Sequence, residues 1–144
     1  MILNTTYLEK DIVRKINVLV GEPFSLLKRI KMKGVGSHRM IIDDFSEVFN
    51  GYFTQNMSLR YCNFELRPNG IIVHFSYRYD RYSWVIPYCR LSMFRSDSFS
   101  VHADGEFLRI RKDINLKRNS KIIKRILSLK EINIRGSRPI DSVK

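Results

Sequence analysis

The chain has little of what usually announces a mechanism. It holds two cysteines, Cys62 and Cys89, in neither a Cys-x-x-Cys pair nor a spacing typical of zinc, so at most one bridge and no structural metal site are expected. Both read as buried thiols in a reducing compartment. The three histidines, His38, His74 and His102, are scattered. His-x-x-Glu-His and Gly-x-Ser-x-Gly are both absent, and nothing points to a resident cofactor. There is one alanine, Ala103, against seventeen isoleucines, which reflects coding bias in an AT-rich genome and says nothing about mechanism. Long apolar runs are missing as well. Glu9, Lys10, Asp11, Arg14 and Lys15 interrupt the start of the chain, which excludes a signal peptide or membrane span there and makes a cytoplasmic location the expectation.

What is present suits one core. With 44% hydrophobic and 12% aromatic residues over 144 positions, a single domain is expected, with no need of staples. It divides into a helical N-terminal segment at 1–33, a sheet plus C-terminal helix at 38–131 and a flexible tail at 136–144. Lys and Arg number 26 against 14 Asp and Glu, a net charge of +12. A field of that sign favours an anionic macromolecule or a protein partner. Nucleic acid, a peripheral membrane contact and an acidic protein all fit it, as does a charge that only aids solubility.

Periodicity supplies the elements. Leu8, Ile12, Ile16, Leu19 and Val20, with Asn4, Thr5 or Thr6 as cap and Gly21 as stop, predict an amphipathic helix of about 14 residues. A second, shorter helix is read at 24–33 after Pro23. From residue 59 to 111 the pattern alternates. Ile71, Val73, Phe75, Tyr77 and Tyr79 form one apolar face, with His74, Ser76 and Arg78 on the wetter one. Arg67-Pro68-Asn69-Gly70 supplies turn chemistry, Asn-Gly being tolerant of positive φ, so a hairpin is expected over 61–79. Short strands at 83–87, 90–95, 99–102 and 106–111, with turns at Ser96-Asp97 and Asp104-Gly105, predict an antiparallel meander. A final helix over 117–130 sets Ile122, Ile123, Ile126, Leu127 and Leu129 on one arc, with Lys117, Arg118, Lys121, Lys124 and Arg125 opposite.

That order, with Trp84-Val85-Ile86-Pro87-Tyr88 as its most recognisable phrase and later strands of the Leu91–Phe94 and Phe107–Arg111 type, resembles bacterial PH-like domains over about residues 59–130. The resemblance implies an α+β fold. Its antiparallel sheet would be strongly bent and closed by a C-terminal amphipathic helix, here preceded by one or two N-terminal helices. It also implies a domain that binds rather than catalyses, since relatives bind phosphoinositides or peptides or have no known ligand. No lipid-binding motif is present to carry over, and fold does not fix function.

Several groups invite chemistry, and each has a plainer account. The cations of the last helix suit a membrane surface or phosphate, although its apolar stripe is what a helix covering a sheet needs anyway. Lys28, Arg29, Lys31, Lys33 and Arg39 bracket Gly34-Val35-Gly36-Ser37, an anion nest or, more simply, a flexible connector. In the run 77–84, rings and guanidiniums suggest a stacking platform for nucleic acid, but Tyr77 and Tyr79 fall on the core face, which leaves Arg78, Arg81 and Tyr82. His74 and His102 with Cys62 or Asp104 could gather a metal, against the simpler reading of solvated polar groups. Asp43, Asp44 and Glu47 read as partners of cations or as caps of a helix at 45–53. The reading is therefore a non-catalytic binding domain using Lys117, Arg118, Lys121, Lys124, Arg125, Arg78 and Arg81. A nucleic-acid-binding protein is the alternative, and an enzyme with a dispersed site the third reading.

Overall fold

Alternation along the strands decides how this chain layers. In the computed structural model, which describes residues 1–53 and 59–137, eight strands form one antiparallel sheet. They are β1 (Ile2–Asn4), β2 (Met40–Phe45), β3 (Tyr61–Arg67), β4 (Gly70–Tyr77), β5 (Asp80–Pro87), β6 (Ser92–Arg95), β7 (Phe99–Ala103) and β8 (Glu106–Ile110). Their order is β1-β5-β4-β3-β2-β8-β7-β6. Four helices accompany them: α1 (Lys10–Val20), α2 (Leu26–Lys31), α3 (Ile114–Arg118) and α4 (Ser120–Ser137). The fold is α+β with a C-terminal helix, and none of the described helices is long and apolar enough to cross a membrane.

β2 joins two halves. Met40 and Ile41 pair with β3, whereas Ile42, Asp44 and Phe45 pair with β8, and the register slips between Ile42 and Asp44. An extra residue at such a point bends a strand and redirects the sheet. The inward positions of both halves, among them Phe64, Val73, Trp84, Val101 and Leu108, meet in one core. Ile122, Ile123 and Ile126 of α4 close it. Phe49, on a short 3-10 turn at Glu47–Gly51, sets its ring edge-on to Trp84 at 5.2 Å. That turn stands where a helix over 45–53 was expected, because Phe45 is still paired to Leu108 in β2.

The outer face of β4 and β5 is covered too. Ile72 and Val85 point away from the main core and pack under Ile16 and Val20 of α1. This explains why Ile72 breaks the alternation. α1 ends at Gly21 with φ +87 but begins at Lys10, with Glu9 as its cap residue and no side-chain cap. The chain before it pairs with β5 as an edge strand, so Thr5 and Thr6 anchor to β5 instead of capping a helix. Thr5 Oγ1 lies 2.7 Å from Ser83 Oγ, and Thr6 Oγ1 donates to Asp80 Oδ1 at 3.0 Å.

The 61–79 hairpin differs in detail from its expectation. Its turn is centred on Pro68 and Asn69, between the paired Arg67 and Gly70. Neither Asn69 nor Gly70 has a positive φ. Gly70 is needed for close approach: a Cβ there would sit 2.3 Å from the Ile86 carbonyl oxygen and 2.5 Å from Val20 Cγ1. Tyr79 does not reach the core. It occupies the β4–β5 turn beside Arg78 (φ +56) and is 99% exposed. Asp104 (φ +54) and Gly105 (φ +80) form the tight β7–β8 turn with both central residues left-handed. Cys62 is buried, and burial pushes its thiol up to about 12, but Cys89 is exposed because it follows Tyr88 into the short turn after β5. α4 continues through Ser137, and the rest of the tail expected at 136–144 lies outside the described residues.

Candidate anion-binding face and the cleft beside it

The single final helix expected over 117–130 is two helices. Asp113 caps α3, its Oδ1 accepting from the Asn115 and Leu116 N–H groups at 2.9 and 3.1 Å. Buried Asn119 then interrupts the run. Its Oδ1 accepts from the His38 N–H at 2.9 Å, and its Nδ2 donates to His38 O at 3.1 Å and Asn115 O at 2.9 Å. This side chain fastens the segment before β2 to the junction of α3 and α4. Further along, Arg125 Nη1 donates to Gly34 O at 3.3 Å. The connector after α2 therefore runs beside the first turns of α4. Lys117, Arg118, Lys121 and Lys124 are exposed there, Lys117 facing a shallow hollow of about 500 Å³ with Arg95 and Lys112.

The glycine segment is neither a nest nor a loose connector. Lys33 (φ +58) and Gly34 (φ +100) terminate α2, and the Gly34 N–H donates to Arg29 O at 2.9 Å, a left-handed helix stop. Residues 35–37 then lie along β3. The Leu66 N–H donates to Val35 O and the Ser37 N–H to Phe64 O, each at 2.8 Å. The N–H groups of Gly34 and Ser37 are thus already used. What remains for a partner is side-chain charge. Lys28, Lys31 and Lys33 are exposed around α2, which itself buries no residue. Among the described residues none of these lysines, nor Lys117, Lys121 or Lys124, forms an ion pair, while Asp43 and Asp44 are engaged by Arg111 and Arg109.

Arg78 and Arg81 are not part of this face. Arg78 lies over the Tyr77 ring, 5.2 Å from its centroid, in the β4–β5 turn. The aromatic run around it forms no platform. Trp84 is buried, Tyr82 packs on Phe75 at 5.7 Å and Tyr52 at 4.6 Å, and Tyr79 alone stands open. Arg81 instead lines a cleft on the outer face of the sheet, beside α2 and the segment that leads into it.

The floor of that cleft is a polar network that sequence reasoning missed. His74 Nε2 lies 3.0 Å from Glu65 Oε1, and His74 Nδ1 lies 2.9 Å from Ser83 Oγ. A carboxylate only accepts, so Nε2 carries a proton toward Glu65. Arg67, nearly buried, donates from Nε to Glu65 Oε2 at 2.6 Å and from Nη1 to Asn17 Oδ1 and Gly21 O at 3.0 and 2.9 Å. Burial opposes the Glu65 charge, but hydrogen bonds from His74 and then Arg67 outweigh it and hold the carboxyl down to about 2. A Ser–His–Glu chain has the connectivity of a nucleophilic triad. Here Ser83 is fully buried and its Oγ is shared with Thr5, so the network's visible work is to tie β1, β3, β4, β5 and α1 together. The signal was available in the outward positions 63, 65 and 67 of β3, which carry Asn, Glu and Arg.

His102 is elsewhere, on β7, bonded to Ser100 Oγ at 2.9 Å and stacked near Phe107 at 5.7 Å. Burial, then Arg109, lowers its pKa. His38 lies on the connector by Asn119, so the three histidines have separate neighbours. Among the described residues no group of three His, Cys, Asp or Glu side chains could hold a metal. No family model matches the chain, and comparison with curated proteins and with solved structures finds no match.

Proposed function

We propose that this chain is a non-catalytic binding module, built on a PH-like sheet, that meets an anionic macromolecule through the face shared by the α2–β2 connector and the start of α4. One observation carries the reading. The Arg125–Gly34 hydrogen bond sets two cationic groups, separated by 91 positions, side by side, and their lysines have no ion pairs among the described residues. Unpaired cations gathered on one side raise the local potential and attract polyanions. In support of the PH-like sheet stand the two antiparallel meanders joined through β2 and the helix laid over the core after the last strand.

A fluorescence-polarisation titration tests it. The protein is titrated against a labelled single-stranded oligonucleotide at low and physiological salt, with anionic vesicles as competitor. Binding should fall linearly in log affinity with log salt. Lys33→Gln and Lys121→Gln should each weaken it and reduce the slope by about one. If the two substitutions leave affinity and slope unchanged, the reading is wrong. Loss of oligonucleotide to vesicles identifies a membrane surface as the better anion. Resistance to them favours nucleic acid.

A further inference from the structure

The cleft on the outer face of the sheet holds about 300 Å³, the lower end of the range of small-molecule sites. Three of its lining residues, Arg29, Arg81 and Asn63, carry polar side chains without a hydrogen-bond partner among the described residues. Its other wall is apolar, made by Pro23, Phe24 and Val35. The arrangement is built from separate elements, because α2 contributes Arg29, β3 contributes Asn63 and β5 contributes Arg81. Beneath them the Glu65–His74–Ser83 network fixes the floor, with both nitrogens of His74 engaged.

We propose that this cleft is a binding site for a small organic carboxylate, whose charged end meets Arg29 and Arg81 while its apolar body lies against Phe24 and Val35. Guanidinium forks match a planar carboxylate in two-point fashion. The apolar wall distinguishes the ligand from a bare anion: an organic carboxylate buries its body against Phe24 and Val35, where inorganic phosphate has no apolar surface to bury. The site adjoins the macromolecular face through Arg29, Val35 and Gly36 but uses none of that face's lysines, so the Lys33→Gln and Lys121→Gln substitutions that test the face leave this site intact.

The test is an NMR titration of the full chain with benzoate, with benzyl alcohol as its uncharged counterpart, and with inorganic phosphate. Benzoate should give saturable shifts at Gly36, Asn63 and His74, and benzyl alcohol should bind at least roughly tenfold more weakly. Arg81→Gln and Arg29→Gln should each weaken benzoate by roughly ten- to hundredfold, the range for a hydrogen bond to a charged group. Neither guanidinium supports the fold, which a melting curve of each variant checks. Lys15→Gln on the exposed side of α1 should match the parent protein. Shifts that do not saturate, that map outside the cleft or that survive both arginine substitutions overturn the proposal. So does phosphate binding as tight as benzoate, which would make this a bare-anion site.

Discussion

Replacing Glu65 with glutamine should destabilise the protein more at neutral pH than in acid. The carboxyl is held from its ordinary range near 4.5 down to about 2, and each tenfold change in proton affinity is worth about 1.4 kcal/mol. The full shift is then on the order of 3 kcal/mol, and its side chain being 29% exposed trims this to about 2–3 kcal/mol through solvent screening. The sign follows from the direction. A carboxyl whose folded pKa is depressed contributes stability that is complete above its ordinary value and is lost as pH falls toward 2. At pH 3 the same linkage leaves under half of it, about 1 kcal/mol. The substituted amide would keep one acceptor for His74 but no charge for Arg67, which is nearly buried and would retain Asn17 Oδ1 and Gly21 O. Urea denaturation of the parent and Glu65→Gln proteins at pH 7 and pH 3, at fixed ionic strength, measures the gap directly. Other carboxylates titrate equally in both proteins, so only the change in the gap matters. A gap that is equal at the two pH values, or absent at pH 7, refutes the argument.

Gly70→Ala should cost about 2–3 kcal/mol by overpacking against main chain that cannot yield, read as a fall in Tm of about 5–10 °C; an unchanged melting curve would show that the turn and α1 move apart freely. Asn119→Ala removes three part-buried hydrogen bonds from a buried side chain and should cost about 2–3 kcal/mol, with faster amide exchange at His38, whereas retained protection there would mean that the connector is held by other contacts. A thiol reagent should label exposed Cys89 in the native protein and Cys62 only on unfolding, since that thiol is buried and pushed up to about 12. Rapid native labelling of both would contradict the packing of β3.

Strand positions are legible in the sequence because alternation survives wherever a strand has one buried face, as in β3 and β7. It fails where a second layer intervenes. Ile72 and Val85 look like exceptions until α1 is placed over them, and Tyr79 looks like core only when period two is extended through a turn. β1 is three residues long, too short to show any period, and its pairing depends on β5 some eighty positions away. The basic residues of α4 are visible as a helical face, yet their neighbour is not, because the Arg125–Gly34 contact spans most of the chain. Sign of charge alone groups Arg81 with the other cations, and sheet orientation directs it into a different site. The Glu65–His74–Ser83 chain comes from three strands, and only their register brings it together.

A hydrogen-exchange footprint with inorganic polyphosphate, a polyanion with neither bases nor acyl chains, shows whether the two cationic segments act as one surface. Amides across 26–39 and 117–125 should gain protection together, with one midpoint, while the opposite edge strand β1 and the β4–β5 turn should be unchanged. Protection confined to one of the two segments, or centred on β1 or on Arg78, would rule out a single face assembled from the α2 connector and α4.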